Sequence, residues 1–359
     1  MKKVVIFVIA LLFLGAAAGA YVWYSRLNRP FRGYSDTEKF VEIPSGAGSR
    51  AIGDRLIAAG VVRDPLTYRV ALWRSGQARR LKAGEYRFDR EMTPLEVLDK
   101  IARGDVFLLN LTFREGLSIG EMAQIFETNG FGPAKSFVAA AADGSLVHDV
   151  DPSARDLEGY LFPDTYALPR GADASRVVRA MVDRFEQVLT PEVRKAAEAR
   201  GLTVRQLVTL ASIVEKETAK PEERPLVAAV YSNRLRMGMG LQCDPTVIYA
   251  LQRAGRYNGN LRRDDLQFDS PYNTYRYAGL PPGPIAAPGK GSLEAAAAPA
   301  DVEFVYFVSR NDGSHEFART LEEHNRNVHR WQVQYFRDLR AGRAGGAGQA
   351  GRAGGDGEK

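Results

Sequence analysis

The stretch TVRQLVTLASIVEKET, Thr203 to Thr218, decides how the larger part of this chain folds. Thr203 followed three residues on by Gln206 reads as a capping box, so a helix starts here and carries Glu215. At about 100° per residue, Val204, Leu207, Val208 and Ala211 share one face, and Glu215 falls among them. Arg205, Thr209, Ser212 and Lys216 gather on another face, while Glu217 lies toward the flank with Gln206 and Leu210. The two glutamates therefore point in different directions. A carboxyl group held against apolar neighbours is disfavoured in its charged form, which suits it to giving and retaking a proton. That makes Glu215 the catalytic candidate. The competing reading of the same spacing is a buried glutamate paired with an arginine.

At 359 residues the chain exceeds a typical single domain, and its apolar content is sufficient for two cores plus tails. The net charge of +6 is a small difference between 49 basic and 43 acidic residues, which argues against a nucleic-acid specialist. One cysteine, Cys243, excludes an intrachain disulfide framework, and no Cys/His set has zinc-site spacing. The histidines read as surface or structural, and no metal or cofactor is expected.

Val4 to Tyr24 contains no charged residue and is long enough as a helix to cross a bilayer. Residues 1–25 read as a cytoplasmic tip and transmembrane anchor; the alternative is a cleavable signal peptide, with small residues at Ala16 to Ala20. After a linker over 26–38, residues 39–106 alternate short strands and helices. Phe40–Ile43 precedes a helix from Ser49, Asp64 and Pro65 open another, and Glu85–Phe88 precedes a capping box of Thr93 and Glu96. Phe107–Phe113 then leads through Gly116 to Ser118 and Glu121, a further capping box. The whole is an α+β protein, with a small α+β module and a larger mixed α/β domain over 107–340. Within the larger domain helices are expected over Ser175–Leu189, Glu192–Arg200 and Glu223–Met237, with a buried strand over Phe304–Ser309. The Gly/Ala-rich tail, 341–359, is expected to be disordered.

Four segments are too rich in Gly, Pro and aromatics to read as plain helix: LEGYLFPDTY (157–166), QCDPTVIY (242–249), SPYNTY (270–275) and GLPPGP (279–284). Aromatic faces pack on sugar rings and amides satisfy hydroxyls, so their composition suggests a carbohydrate cleft; taken singly, each also reads as a shaped loop. Nucleophile-elbow, Walker, dinucleotide and zinc-protease motifs are absent. Carboxylate chemistry remains. Glycoside cleavage normally needs two carboxyl groups, and the second-member candidates are Asp244, Asp164 and Glu158, with Glu217 disfavoured by its direction. One acid suffices if the sugar supplies its own nucleophile. The C6 hydroxyl of N-acetylmuramic acid does so by attacking its own anomeric carbon and closing a 1,6-anhydro ring.

ASIVEKET (211–218), ERPLVAAVYSNRLRMGMGLQCDPTVIYAL (223–251), SPYNTY, GLPPGPIAAPG (279–289) and HEFARTLEEHN (315–325) closely resemble, in order, the MltG/YceG-like family of endolytic murein transglycosylases. The resemblance runs from about Val41 to Val328. It implies a bacterial inner-membrane protein with one amino-terminal anchor, a LysM-like subdomain over 39–106 and a periplasmic or otherwise extracytoplasmic catalytic domain. It implies a lytic transglycosylase that cleaves the MurNAc–GlcNAc bond in nascent peptidoglycan strands, leaves 1,6-anhydroMurNAc ends and terminates elongation beside peptidoglycan synthases. The family's catalytic glutamate falls on Glu215. Asn233, Gln242, Asp244, Thr246, Tyr272, Asn273 and Tyr275 take substrate-positioning roles by the same resemblance. Two departures stand out: Cys243 sits inside the QxDPT segment, where it is open to oxidation outside the cytoplasm, and the Gly/Ala-rich tail is an accessory for which the resemblance implies no role. The rival readings are a hydrolytic muramidase using Glu215 with Asp244, and a non-catalytic wall-binding scaffold.

Overall fold

The computed structural model describes residues 2–340 and residue 342, so the expected disordered tail lies, but for Gly342, outside the described residues. The protein is mixed α+β, and its strands pair as three two-stranded sheets among the described residues. Helix α1 (Lys2–Asn28) is apolar and exposed along Val4–Tyr24, and it is long enough to cross a bilayer. That geometry serves a single-pass anchor and a signal segment alike. Its last turn behaves differently, because Leu27 is buried among core residues of the first of two compact units.

That unit comprises residues up to Asn110 together with Ala167–Ala172. Its elements are β1 (Lys39–Ile43), α2 (Ser49–Ala58), α3 (Pro65–Ser75), β2 (Gly84–Phe88) and α4 (Pro94–Arg103), and the chain leaves it within β3 (Leu108–Thr112). Strands β1 and β2 pair antiparallel with Val41 opposite Tyr86. Val41, Ile43, Tyr86 and Phe88 are buried while Glu42 and Arg87 between them are exposed, the two-residue period of a half-buried sheet. The expected caps hold: Asp64 accepts from Leu66 and Thr67 N–H, and Thr93 forms a complete capping box with Glu96.

The second unit comprises Leu111–Tyr166 and the described residues from Asp173 onward. Its helices begin with α5 (Ile119–Thr128) and α6 (Ala134–Ala141), and β4 (Thr165–Pro169) carries the chain briefly back into the first unit. There follow α7 (Ala174–Val188), α8 (Pro191–Glu198), α9 (Val204–Glu217), α10 (Arg224–Arg236), α11 (Asp244–Arg253) and α12 (Lys290–Ala297). Strands β5 (Tyr306–Ser309) and β6 (His315–Ala318) form a hairpin before α13 (Leu321–Val328) and, past a π-helical turn, α14 (Tyr335–Arg340).

Helix α9 is the centre of this unit, and it departs from the two-faced pattern. Leu207 through Val214 are all buried, including Thr209 and Ser212 from the expected polar face. Both hydroxyls are satisfied locally: Thr209 donates to the Arg205 carbonyl and Ser212 to the Thr209 carbonyl, each at 2.7 Å. Small hydroxylated side chains bonded to their own backbone are tolerated in a core where a free polar group is not. Two further expectations change. QCDPTVIY is largely helical, because Pro245 lies in the first turn of α11 where its missing N–H has no helical partner to lose. The strand expected as buried at Phe304–Ser309 starts at Tyr306 and is half-buried along its whole length, as one member of a hairpin.

Candidate active site

Glu215 sits in the last turn of α9 with its side chain 6% exposed. Its surroundings are not the apolar ones that the helical face implies. Oε1 accepts from Arg224 Nη2 at 3.2 Å and Oε2 accepts from the Gly289 backbone N–H at 2.9 Å. A helix face reports only its own neighbours, whereas Arg224 comes from the first turn of α10 and Gly289 from the residue before α12. The arginine pairing weighed for Glu215 is therefore present. A buried carboxylate needs such partners, and both of its oxygens are aimed by them.

Arg224 Nη2 also donates to Glu115 Oε2 at 3.0 Å, so one guanidinium nitrogen bridges two carboxyl groups. Glu115 is the open member, with its side chain 45% exposed. Its carboxyl is pushed above the usual range, first by burial and then by the Glu215 charge, against the opposing pull of Arg224. The backbone around it is fastened on both sides. Gly116 N–H donates to the Ala287 carbonyl and Ala287 N–H to the Leu117 carbonyl, each at 2.8 Å, while Lys216 Nζ donates to the Gly116 carbonyl at 3.0 Å. Ile285 N–H donates to Ser212 Oγ at 3.1 Å, which lays the 285–289 segment along α9. A Cβ on Gly289 would lie 1.9 Å from Glu115 Oε1, and one on Gly291 would lie 2.7 Å from Arg224 Nη1. The glycines of this segment are there for space.

Sequence reasoning did not single out Glu115, Arg224 or Gly289. Glu115 and Arg224 are 109 positions apart, beyond any helical or strand period. The trace in the sequence is a glutamate ahead of the Gly116 turn, which loop solvation explains equally well.

Glu217 belongs to a separate group. Its Oε1 accepts from the Tyr231 hydroxyl at 2.6 Å, and burial pushes its carboxyl up, with the Cys243 thiol and Tyr231 hydroxyl opposing the rise. Cys243 is itself buried, and its thiol is pushed well up by burial and by Glu217. The expectation that Cys243 is open to oxidation is corrected on that ground: a buried thiol held protonated is a poor nucleophile.

The expected substrate-positioning residues divide by geometry. Asn233 donates to the Val302 and Phe304 carbonyls at 2.8 and 2.9 Å, and buried Asn273 donates to the Leu266 and Phe268 carbonyls at 3.0 and 2.8 Å. Thr246 is fully buried and donates to the Cys243 carbonyl at 2.7 Å, with Thr274 Oγ1 at 2.9 Å. Asn273 and Thr246 thus have their polar atoms engaged inside the fold, whereas half-buried Asn233 also accepts from the exposed Arg236 Nη2 at 3.0 Å through Oδ1. Gln242 and Asp244 are exposed, and Tyr275 is partly so and donates to Asp244 Oδ1 at 2.6 Å. Gln242 also holds a left-handed φ of 49°, unusual for a residue with a side chain. Tyr272 lines a cavity of about 410 Å³ with Glu158, Arg205 and Arg253, whose lining does not include Glu215. Glu158 accepts from Ile119 N–H and Tyr249 hydroxyl, both at 3.1 Å, and burial pushes it up to about 8 despite those bonds. Asp164 is bound to Arg184 at 2.9 Å. No hydrogen bond or ion pair among the described residues joins Glu215 to Asp244, Asp164 or Glu158. Its carboxyl neighbour is Glu115.

A bilayer-length amino-terminal helix and a carboxylate–guanidinium cluster at the end of a core helix belong to a mixed α+β protein. The chain belongs to the YceG-like family, which matches residues 41–330. It is 30% identical over 328 residues to a Bacillus subtilis protein named endolytic murein transglycosylase, covering 86% of this chain and 89% of that one. A Streptococcus pneumoniae protein of the same name is 30% identical over 360 residues, covering 91% of this chain and 65% of that one. A crystal structure of a yceG-like protein from Listeria monocytogenes superposes with a TM-score of 0.55 at 30% identity, covering 81% of this chain and 99% of that chain.

Proposed function

We propose that this protein is an endolytic murein transglycosylase with Glu215 as its general acid and base. The observation that carries the reading is the placement of Glu215, the glutamate of the family motif, as a buried carboxyl with both oxygens aimed by Arg224 and Gly289. Protonated Glu215 gives its proton to the glycosidic oxygen between muramic acid and N-acetylglucosamine. As that bond breaks, the muramic C6 hydroxyl attacks the anomeric carbon, and Glu215 takes back the hydroxyl proton. The products are a free N-acetylglucosamine end and a 1,6-anhydro ring, and no water is consumed. Gln242, Asp244, Tyr272 and Tyr275 line up the glycan, and Asn233, Thr246 and Asn273 hold the loops that carry them. The 39–106 region is the LysM-like subdomain, α1 is a single-pass anchor in the inner membrane, and the catalytic unit works outside the cytoplasm on nascent strands next to a synthase.

The hydrolytic alternative has less support from the site. That alternative pairs Glu215 with Asp244, whose Oδ1 is engaged by the Tyr275 hydroxyl at 2.6 Å, whereas the carboxyl that shares Arg224 with Glu215 is that of Glu115. Mass spectrometry of digested peptidoglycan decides between the two. The expected muropeptides are lighter by one water than hydrolysis products, and Glu215→Gln abolishes them while leaving the thermal transition in place. Hydrated ends alone, or an active Glu215→Gln, would sink the reading. Glycan retained without shortening by the wild type would favour the scaffold.

A further inference from the structure

We infer that Glu115 is a positioning residue of this site, which shares Arg224 with Glu215 so that the two carboxyls keep one proton between them. The inference rests on the reading of Glu215 as acid and base, and it answers a difficulty in that reading. A carboxylate bound to an arginine and to a backbone N–H is stabilised in its charged form, yet a general acid must begin protonated.

Two carboxyls on one guanidinium remove the difficulty. The first negative charge is balanced by Arg224, and a second would be left without a cation in a site where Glu215 is 6% exposed. The second ionisation is therefore opposed, and the proton belongs to the pair. The upward push on Glu115, part of which comes from Glu215, has this sign.

The charged groups around the pair are few. Arg224 reaches both carboxyls from α10, and Lys216 on α9 is turned to the Gly116 carbonyl at 3.0 Å. Arg114 is exposed, and Lys290, one residue beyond Gly289, pairs with Glu294 at 3.5 Å. The 285–289 segment contributes the Gly289 N–H and no charge. Glu115, as the open member, receives or releases the pair's proton on the solvent side, and Glu215 spends it on the glycosidic bond. Over a full turnover the proton given to the leaving oxygen is replaced by the one from the C6 hydroxyl, so the pair is unchanged.

The test is the pH profile of glycan cleavage by the full-length protein in detergent. With Glu115→Gln, only one carboxyl remains on Arg224 and no second one is left to share the proton. The alkaline limb of kcat then moves down by about one unit or more, while KM changes little. Glu115→Asp, which restores the second charge, keeps the limb near its wild-type position. An alkaline limb that stays in place in a folded Glu115→Gln overturns the proposal. If that variant does not fold, the carboxyl C=O stretch of Glu215→Gln is followed by infrared spectroscopy against pH. Glu115 without its partner's charge should deprotonate at lower pH than the wild-type pair, and an unchanged titration overturns the proposal just as well. An active Glu215→Gln removes the reading of Glu215 instead, so the two failures are distinguishable.

Discussion

A carboxyl group with both oxygens engaged has lost most of its freedom to turn, and at Glu215 that is achieved by one side chain and one backbone amide. The same amide belongs to the residue whose missing Cβ makes room for Glu115. Gly289→Ala tests this contact with both glutamates kept in the sequence. The added methyl would lie 1.9 Å from Glu115 Oε1, so Glu115 must swing away from Arg224 while the Gly289 φ of −76° remains acceptable for alanine. The expected result is a loss of about tenfold or more in kcat, since small displacements of aligned groups are costly. Steady-state cleavage alongside a thermal melt checks it; wild-type turnover in the variant would show that the close fit has no catalytic consequence. Glu215 itself was legible in the sequence as a misplaced acid. Its partner was legible only as a residue type, an arginine. Glu115 was not legible, because helical periodicity reaches three or four residues and the contact spans more than a hundred.

For the helices, the signals that were readable are those in which a residue acts on its own backbone. Thr203 accepts from Gln206 N–H at 3.2 Å and Gln206 Oε1 accepts from Thr203 N–H at 2.9 Å, the capping box seen in the sequence. Thr203→Ala removes one half of it at the end of α9 remote from Glu215. The expected cost is about 1 kcal/mol, with Thr203→Ser close to neutral. Differential scanning calorimetry should show the alanine variant melting about 2–4 °C lower with kcat unchanged. Equal melting of Thr203→Ala and wild type would mean that tertiary packing alone fixes the start of α9. What the sequence concealed at this scale was burial. Thr209 and Ser212 look like a solvated face until α10, α11 and α12 are packed around α9, and α12 itself is short, with Leu293 as the one large apolar residue to announce it. QCDPTVIY misled in the other direction, since a proline that stops a helix interior also starts one.

For the whole molecule, the apolar amino-terminal run was readable, being a property of composition. The return of Ala167–Ala172 to the first unit was not, since nothing in six residues announces which unit they join. Global stability also carries a term that composition hides. Glu158 is buried, and burial, only partly offset by the Tyr249 hydroxyl and Ile119 N–H, pushes it up to about 8 from an ordinary 4.5. Between those values the folded chain holds a proton that the unfolded chain has released. The unfolded state then binds fewer protons, so stability falls as pH rises through the window. The contribution is fully present below about 4.5 and lost as pH passes 8. Glu217, pushed up by the same cause, adds a term of the same sign. Glu158→Gln removes the ionisation and keeps one carbonyl oxygen as an acceptor, with its NH2 in the place of the other oxygen, where the Tyr249 hydroxyl can accept instead of donate. The wild-type unfolding free energy should therefore fall between pH 6 and 9 more steeply than that of Glu158→Gln, by an amount on the order of a few kcal/mol at most, and the melting temperature should fall with it. Thermal melts of the full-length protein across that range measure the difference. Parallel curves for the two proteins would mean that Glu158 titrates normally and that its burial is relieved in solution.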